Sequence, residues 1–186
     1  MPRDAPRILL TGAPRAGKTT LVRRIADELA ISETAIEGFT TGELLEDGHR
    51  VGFLAEGIGG GSGVLAHVAR ASGPVVGRYR VDVPAFERIA LPALERAARG
   101  CSVAVIDEIG QMELYSDAFV DAVRRIFEQD VALVATVQAR AHPVTDEPVQ
   151  PECSISPRCQ RNPAFLQQVI CTSGAVAWRR SQSARR

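Results

Sequence analysis

The sequence predicts an α/β fold: a mostly parallel central sheet, helices on both of its faces, and a β-hairpin inserted among them. Three observations lead there. Short apolar runs alternate with amphipathic stretches from Arg7 to Val137. The first apolar run ends directly in a glycine-bounded loop. An Asp-Gly pair separates two runs of alternating hydrophobicity. Strand and helix signals in regular alternation are the pattern of parallel sheets, because a parallel return needs a crossover element.

Taken in order, Arg7-Ile8-Leu9-Leu10-Thr11 is a short apolar run stopping at Gly12, and it reads as a buried strand. Leu21, Val22, Ile25, Ala26 and Leu29 then share one helical stripe within residues 18–30. Ala35 to Thr41 reads as a second strand. Glu46-Asp47-Gly48-His49 lies between Gly42–Leu45 and Arg50–Ala55, and Asp-Gly in that setting predicts a hairpin. Gly57, Gly59, Gly60, Gly61 and Gly63 follow without the spacing of a phosphate fingerprint, so residues 57–63 read as a mobile loop. Asp82 is placed to cap a helix with Pro84 in its first turn, and Pro92 to kink it; Phe86, Ile89, Ala90, Ala93, Leu94 and Ala97 recur at helical spacing. Val103-Ala104-Val105-Ile106 is a further buried strand ending in Asp107-Glu108. Ser116 caps a helix striped by Phe119, Val120, Val123, Ile126 and Phe127, and Val131 to Val137 is the next strand.

That order ends near residue 142. Five of the eleven prolines fall from Pro143 to Pro163, and only Ala164–Cys171 and Ala175–Trp178 remain as possible elements. The organisation expected is therefore one domain over residues 1–142 and a Pro- and Arg-rich tail over 143–186. Residues 138–186 carry seven Arg against three acidic residues, which reads as a solvated end rather than a nucleic-acid arm.

Composition narrows the classes. A chain of 186 residues with 45% hydrophobic and 24% charged residues is ordinary for a globular domain and excludes wholesale disorder. Lys and Arg number 22, as do Asp and Glu, so net charge gives no lead toward nucleic acid or an anionic membrane. No apolar run approaches the roughly 18 residues of a membrane span, and Met1-Pro2-Arg3-Asp4 lacks a secretion pattern. A cytoplasmic protein is expected, a monomer or weak oligomer with no membrane partner. Cys101, Cys153, Cys159 and Cys171 match no zinc spacing and read as reduced thiols. His49, His67 and His142 do not cluster with other ligands, and Trp178 stands alone.

The chemistry concentrates in two places. Gly12-Ala13-Pro14-Arg15-Ala16-Gly17-Lys18-Thr19 matches G-x-x-x-x-G-K-[ST], with a strand before it and an amphipathic helix after it. A triphosphate is a polyanion that must be desolvated on binding. Main-chain amides of such a loop and of the helix N-terminus meet the phosphates, and glycine permits the close approach. Lys18 is the single lysine of the chain and occupies the slot whose ammonium reaches the β- and γ-oxygens; the Thr19 hydroxyl would ligate Mg²⁺. Asp107 and Glu108 close a strand at the sheet edge where ligands of such folds bind. Asp107 would hold Mg²⁺, and Glu108 would orient or deprotonate the attacking water.

Guanine reading through Asn-Lys-x-Asp is excluded, since the one asparagine is Asn162, followed by Pro163, and no second lysine exists. Tolerance of several bases is expected. An arginine often meets charge on the γ-phosphate; Arg15, Arg50, Arg78 and Arg80 are the candidates.

Four segments then add a resemblance: Gly38-Phe39-Thr40-Thr41-Gly42-Glu43, Gly77-Arg78-Tyr79-Arg80-Val81-Asp82, Phe86-Glu87-Arg88-Ile89-Ala90-Leu91-Pro92 and Ile106-Asp107-Glu108-Ile109-Gly110-Gln111-Met112-Glu113-Leu114. In order and spacing they resemble the thermophile-type nucleoside-triphosphatase family, the small P-loop group that includes the cancer-related nucleoside-triphosphatase. The resemblance covers residues 7 to about 137. It implies a three-layer, RecA-like P-loop NTPase fold and slow, Mg²⁺-dependent hydrolysis of ATP, GTP and other nucleoside triphosphates. Its nucleotide-contacting segments fall on Gly12, Ala13, Pro14, Arg15, Ala16, Gly17, Lys18 and Thr19, and on Val103, Ala104, Val105, Ile106, Asp107, Glu108, Ile109 and Gly110. Arg15 stands where many members have glycine, and the similarity stops after His142-Pro143.

The expected activity is triphosphate hydrolysis to diphosphate and phosphate, with Lys18 and Glu108 catalytic and Thr19 and Asp107 on the metal. Two other readings use the same loop. A small nucleotide or nucleoside kinase needs a second pocket and an arginine-bearing lid, for which the hairpin and the 57–63 loop are the candidates. A non-hydrolysing binding protein would hold nucleotide without releasing phosphate.

Overall fold

Strand β1 (Arg7–Thr11) buries Leu9 and Leu10 on opposite faces and hands the chain to the loop at Gly12. The computed structural model describes residues 5–138 together with Cys153 and Ser154. Helix α1 (Lys18–Ile31) buries Leu21, Val22, Ile25, Ala26 and Leu29, the stripe that the apolar spacing predicts. Strand β2 (Ile36–Glu46) is longer than expected: the separate arm foreseen at Gly42–Leu45 is its direct continuation. It turns at Asp47 and Gly48, whose φ angles of 48° and 75° suit the tight hairpin turn, into β3 (His49–Gly57).

The glycine-rich stretch is the turn from β3 to β4 (Ser62–His67), closed by Gly57 N–H on Gly61 O at 2.9 Å and Gly60 N–H on Gly57 O at 3.0 Å. Two short strands follow, β5 (Val75–Val76) and β6 (Tyr79–Val81). Asp82 caps α2 (Val83–Ala98), accepting from Ala85 N–H at 3.0 Å, and the helix continues past Pro92 to Ala98. Strand β7 (Val103–Ile109), α3 (Asp117–Glu128) and β8 (Ala132–Val137) complete the run, with Ser116 capping α3 through Phe119 N–H at 3.0 Å. β9 (Cys153–Ser154) lies beside Leu10 and Thr11 of β1.

Among the described residues the strands form one sheet in the order β5-β6-β4-β3-β2-β7-β8-β1-β9. From β2 to β9 every pairing is parallel; from β2 outward to β5 every pairing is antiparallel. The expected hairpin is thus the root of a four-strand antiparallel wing on a parallel core. α1 covers one face, packing on Leu10, Val105 and Val134. α2 and α3 cover the other, where Phe39, Phe86 and Phe119 meet edge-to-face at centroid distances of 5.1–5.8 Å. The 142/143 boundary, the possible elements at Ala164–Cys171 and Ala175–Trp178, and residues His142, Cys159, Asn162 and Trp178 lie outside the described residues. Among the described residues no helix is long and apolar enough to cross a membrane.

Candidate functional site

The loop between β1 and α1 is built on left-handed backbone. Gly17 has φ 87° and Arg15 φ 62°, so the position where glycine would be free carries an arginine. The Lys18 ammonium donates to Gly12 O at 3.1 Å and Ala13 O at 3.4 Å and thereby sits across the loop mouth. α1 begins at Lys18, so its first amides have no partner within the helix.

Asp107 is fully buried and fixed by three threonines from three elements. Its Oδ1 accepts from Thr136 Oγ1 of β8 at 2.6 Å and from Thr19 Oγ1 of α1 at 3.3 Å. Its Oδ2 accepts from Thr41 of β2, through Oγ1 at 3.4 Å and N–H at 3.5 Å. Sheet order makes this possible: β7 lies between β2 and β8, so each neighbour presents its threonine to the strand between them.

Glu108 follows at the cleft surface. Burial holds its carboxyl above the ordinary carboxylate range; the Lys18 charge opposes that rise and the Asp107 charge adds to it. Glu113, in the 3₁₀ turn Glu113–Tyr115, is only 5% exposed. Burial pushes its carboxyl up to about 8, with the Glu108 and Asp107 charges acting the same way and the N–H groups of Glu113 and Gly110 acting against. Both carboxyls flank Gly110: a side chain there would begin 3.0 Å from a Glu113 carboxyl oxygen and 3.2 Å from the Glu108 carboxyl carbon.

Lys18, Thr19 and Glu108 line one cleft of about 850 Å³, with Pro14, Arg15 and Gly17 on its loop side. Asp107 lies directly behind, bonded to Thr19. Gly12 and Ala13 contribute the carbonyls that hold Lys18, and Ala16 closes the loop through its N–H on Ala13 O at 3.2 Å. The second predicted segment is divided between core and cleft. Ala104, Val105, Ile106 and Ile109 are buried in the core and Val103 packs against it, because a central strand is covered on both faces. Only Glu108 and Gly110 of that segment line the cleft.

Of the four candidate arginines, Arg15 and Arg50 line the cleft. Arg78 donates to Arg50 O and Arg80 to Gly73 O, so both are engaged elsewhere. Residues 57–63 do not line the cleft; their turn packs near Gly38 and Ile89, which removes them as a lid over this site. Sequence reasoning missed Thr41, Thr136 and Glu113. A polar residue within an apolar strand was the available signal for Thr136; nothing local marks Glu113 as buried.

Residues 7–156 match a family model described as NTPase. The chain belongs to that family. Nucleoside-triphosphatase THEP1 of Korarchaeum cryptofilum (strain OPF8) is 43% identical to this NTPase over 135 residues, 72% of this chain and 69% of that protein. The cancer-related nucleoside-triphosphatase of Homo sapiens is 41% identical over 130 residues, covering 65% and 68%. The crystal structure of THEP1 from Aquifex aeolicus superposes with a TM-score of 0.74 at 34% identity, covering 88% of this NTPase and 96% of that chain. The resemblance drawn from the four segments therefore holds, and the NTPase has the P-loop α/β fold that it implied.

Proposed function

We propose that this NTPase, a hydrolase of phosphoric anhydrides, splits nucleoside 5′-triphosphates to diphosphate and phosphate in a slow, Mg²⁺-dependent reaction with little base preference. The observation that carries this reading is the convergence of Lys18, Thr19, Asp107 and Glu108 at one sheet edge. The donor set fits Mg²⁺: a carboxylate and a hydroxyl are hard oxygen ligands, and they already touch. Asp107 and Thr19 would hold the ion, which when bound offsets phosphate charge. Lys18, the cation of the loop, neutralises the β- and γ-oxygens in this reading. Glu108 accepts the proton of the attacking water, a task favoured by a carboxyl of raised basicity.

The rest of the reading has its own support. No Asn-Lys-x-Asp base reader exists in the chain, which favours tolerance of all bases. Arg50, one of the two cleft arginines, is tied to Glu43 at 2.5 Å and Tyr79 at 3.0 Å, which favours slow turnover. The test is phosphate release from ATP, GTP, CTP and UTP, each with Mg²⁺ and with chelator. Release from all four that requires Mg²⁺ is expected. Release from none, or equal release under chelation, overturns the proposal.

A further inference from the structure

Among the described residues, the charged side chains that line the cleft are Arg15, Lys18, Glu43, Arg50, Glu108 and Glu113. Glu43 and Arg50 hold each other at 2.5 Å, so their charges are spent on one another. Arg50 is fixed further by Tyr79 Oη at 3.0 Å and by the Phe53 ring. Glu113, pushed up to about 8 by burial, keeps its proton near neutral pH. Lys18 and Glu108 already have their tasks in hydrolysis. Arg15 is the cleft cation with no task. A triphosphate set beside Asp107 and Glu108 carries more negative charge than one ammonium and one divalent ion offset, and uncompensated charge is costly away from bulk water.

The backbone at Arg15 fits a residue kept for its side chain. Ala13 to Ala16 form a tight turn, closed by Ala16 N–H on Ala13 O at 3.2 Å, with Pro14 and Arg15 at its two central positions. Arg15 holds the second of them at φ 62°, a left-handed conformation that glycine adopts at least cost. Backbone shape alone therefore favours glycine. An arginine stands there instead. It is exposed, and no hydrogen bond, ion pair or ring contact with the described residues holds its guanidinium. No such contact offsets the strain, which is the mark of a residue whose partner is a ligand.

We propose that Arg15 is the catalytic arginine of this NTPase, reaching from the phosphate loop to the γ-phosphoryl oxygens of the bound triphosphate. This rests on the triphosphatase reading. In the step it serves, the water oxygen forms the new bond to the γ-phosphorus and the water proton passes to Glu108. The bond from that phosphorus to the β–γ bridging oxygen breaks, leaving its electron pair on the diphosphate. Arg15 makes and breaks no covalent bond. Its N–H groups donate to the γ-oxygens and to the bridging oxygen, where charge changes as the bond breaks. The planar fork of a guanidinium suits two such oxygens at once. An exposed, unrestrained side chain must be ordered at each turnover, which keeps the reaction slow.

Arg15→Gly is the deciding variant, because glycine takes this backbone freely and the fold is retained. Thermal unfolding checks that. At saturating ATP and Mg²⁺, phosphate release should fall on the order of a hundredfold. ATP affinity, read by titration, should fall by less than about tenfold, since the contact is strongest as the bond breaks. ADP with aluminium fluoride, which imitates the phosphoryl group in transfer, should bind the native chain more tightly than ADP alone, and Arg15→Gly should lose that gain. Arg15→Asn, which also accepts left-handed backbone, should repeat all three results. A native rate in either variant, a loss of affinity with an unchanged rate at saturation, or an equal aluminium fluoride gain in native and variant proteins overturns the role of Arg15 and leaves the triphosphatase intact. No phosphate release by the native chain overturns both.

Discussion

Glu108 and Glu113 flank the same glycine, yet their surroundings set them to different states. Glu108 faces the cleft within reach of the Lys18 charge, so its rise is checked. As a base it must be ionised, so the rate should decline on acidification at a pH above the usual carboxylate range. Glu108→Gln should lower phosphate release by about 10²–10⁴-fold and leave nucleotide affinity nearly unchanged. Paired phosphate-release and nucleotide-titration measurements check this, and equal rates would remove Glu108 from the reaction. Glu113 has no such counter-charge and, at about 8, holds its proton at neutral pH. Its folded-state affinity for the proton exceeds that of the unfolded chain, whose carboxyl titrates near 4.5. The folded form is therefore disfavoured progressively as pH climbs from about 4.5 through about 8. Glu113→Gln, always neutral, should gain stability relative to the native chain by a few kcal/mol between pH 5 and pH 8. Urea unfolding at the two pH values without nucleotide reads this difference, and a constant difference would show an ionised Glu113.

At the scale of elements, close contact between β2 and β7 sets the site. Gly38 pairs with Val105 at φ 131°, and a Cβ there would lie 1.9 Å from Val105 O. Only glycine lets β2 approach closely enough for Thr41 to reach Asp107. Gly38→Ala should cost about 3 kcal/mol or more, combining backbone strain with a main-chain clash. A lowered urea midpoint together with weaker nucleotide binding is the expected result; an unchanged midpoint would mean that the strand pair has slack. The hairpin belongs to the same scale. Asp47-Gly48 announces its turn locally, but the hairpin's reach follows from β2 continuing for seven residues, Thr40 to Glu46, past its last pairing with β7.

Across the whole molecule, the cleft joins two halves of one sheet. The loop and the acids come from the parallel core, and the far wall comes from the antiparallel wing. A ligand seated there braces both halves and binds only the folded chain. ATP with Mg²⁺ at about a hundred times its Kd should add about 2.7 kcal/mol of stability. Thermal unfolding with and without nucleotide measures it. Lys18→Ala should abolish most of the shift, and a shift of native size in that variant would move the phosphate site away from the loop.

The sequence alone determined the phosphate loop, the strand–helix alternation, the helix caps at Asp82 and Ser116, the hairpin turn and the acidic pair. Each is written in contiguous residues whose backbone geometry is local, so spacing suffices to read it. It did not show that Val103–Ile106, a run adjoining the site, lies in or against the core. Only the tertiary structure decided the three threonines on Asp107, the buried Glu113, the wing strands β4 to β6, and the removal of residues 57–63 from the cleft. Those depend on which strands become neighbours and in what register. β5 and β6, of two and three residues, are too short to show a period, and a carboxyl's burial is imposed by chain that lies far from it in sequence.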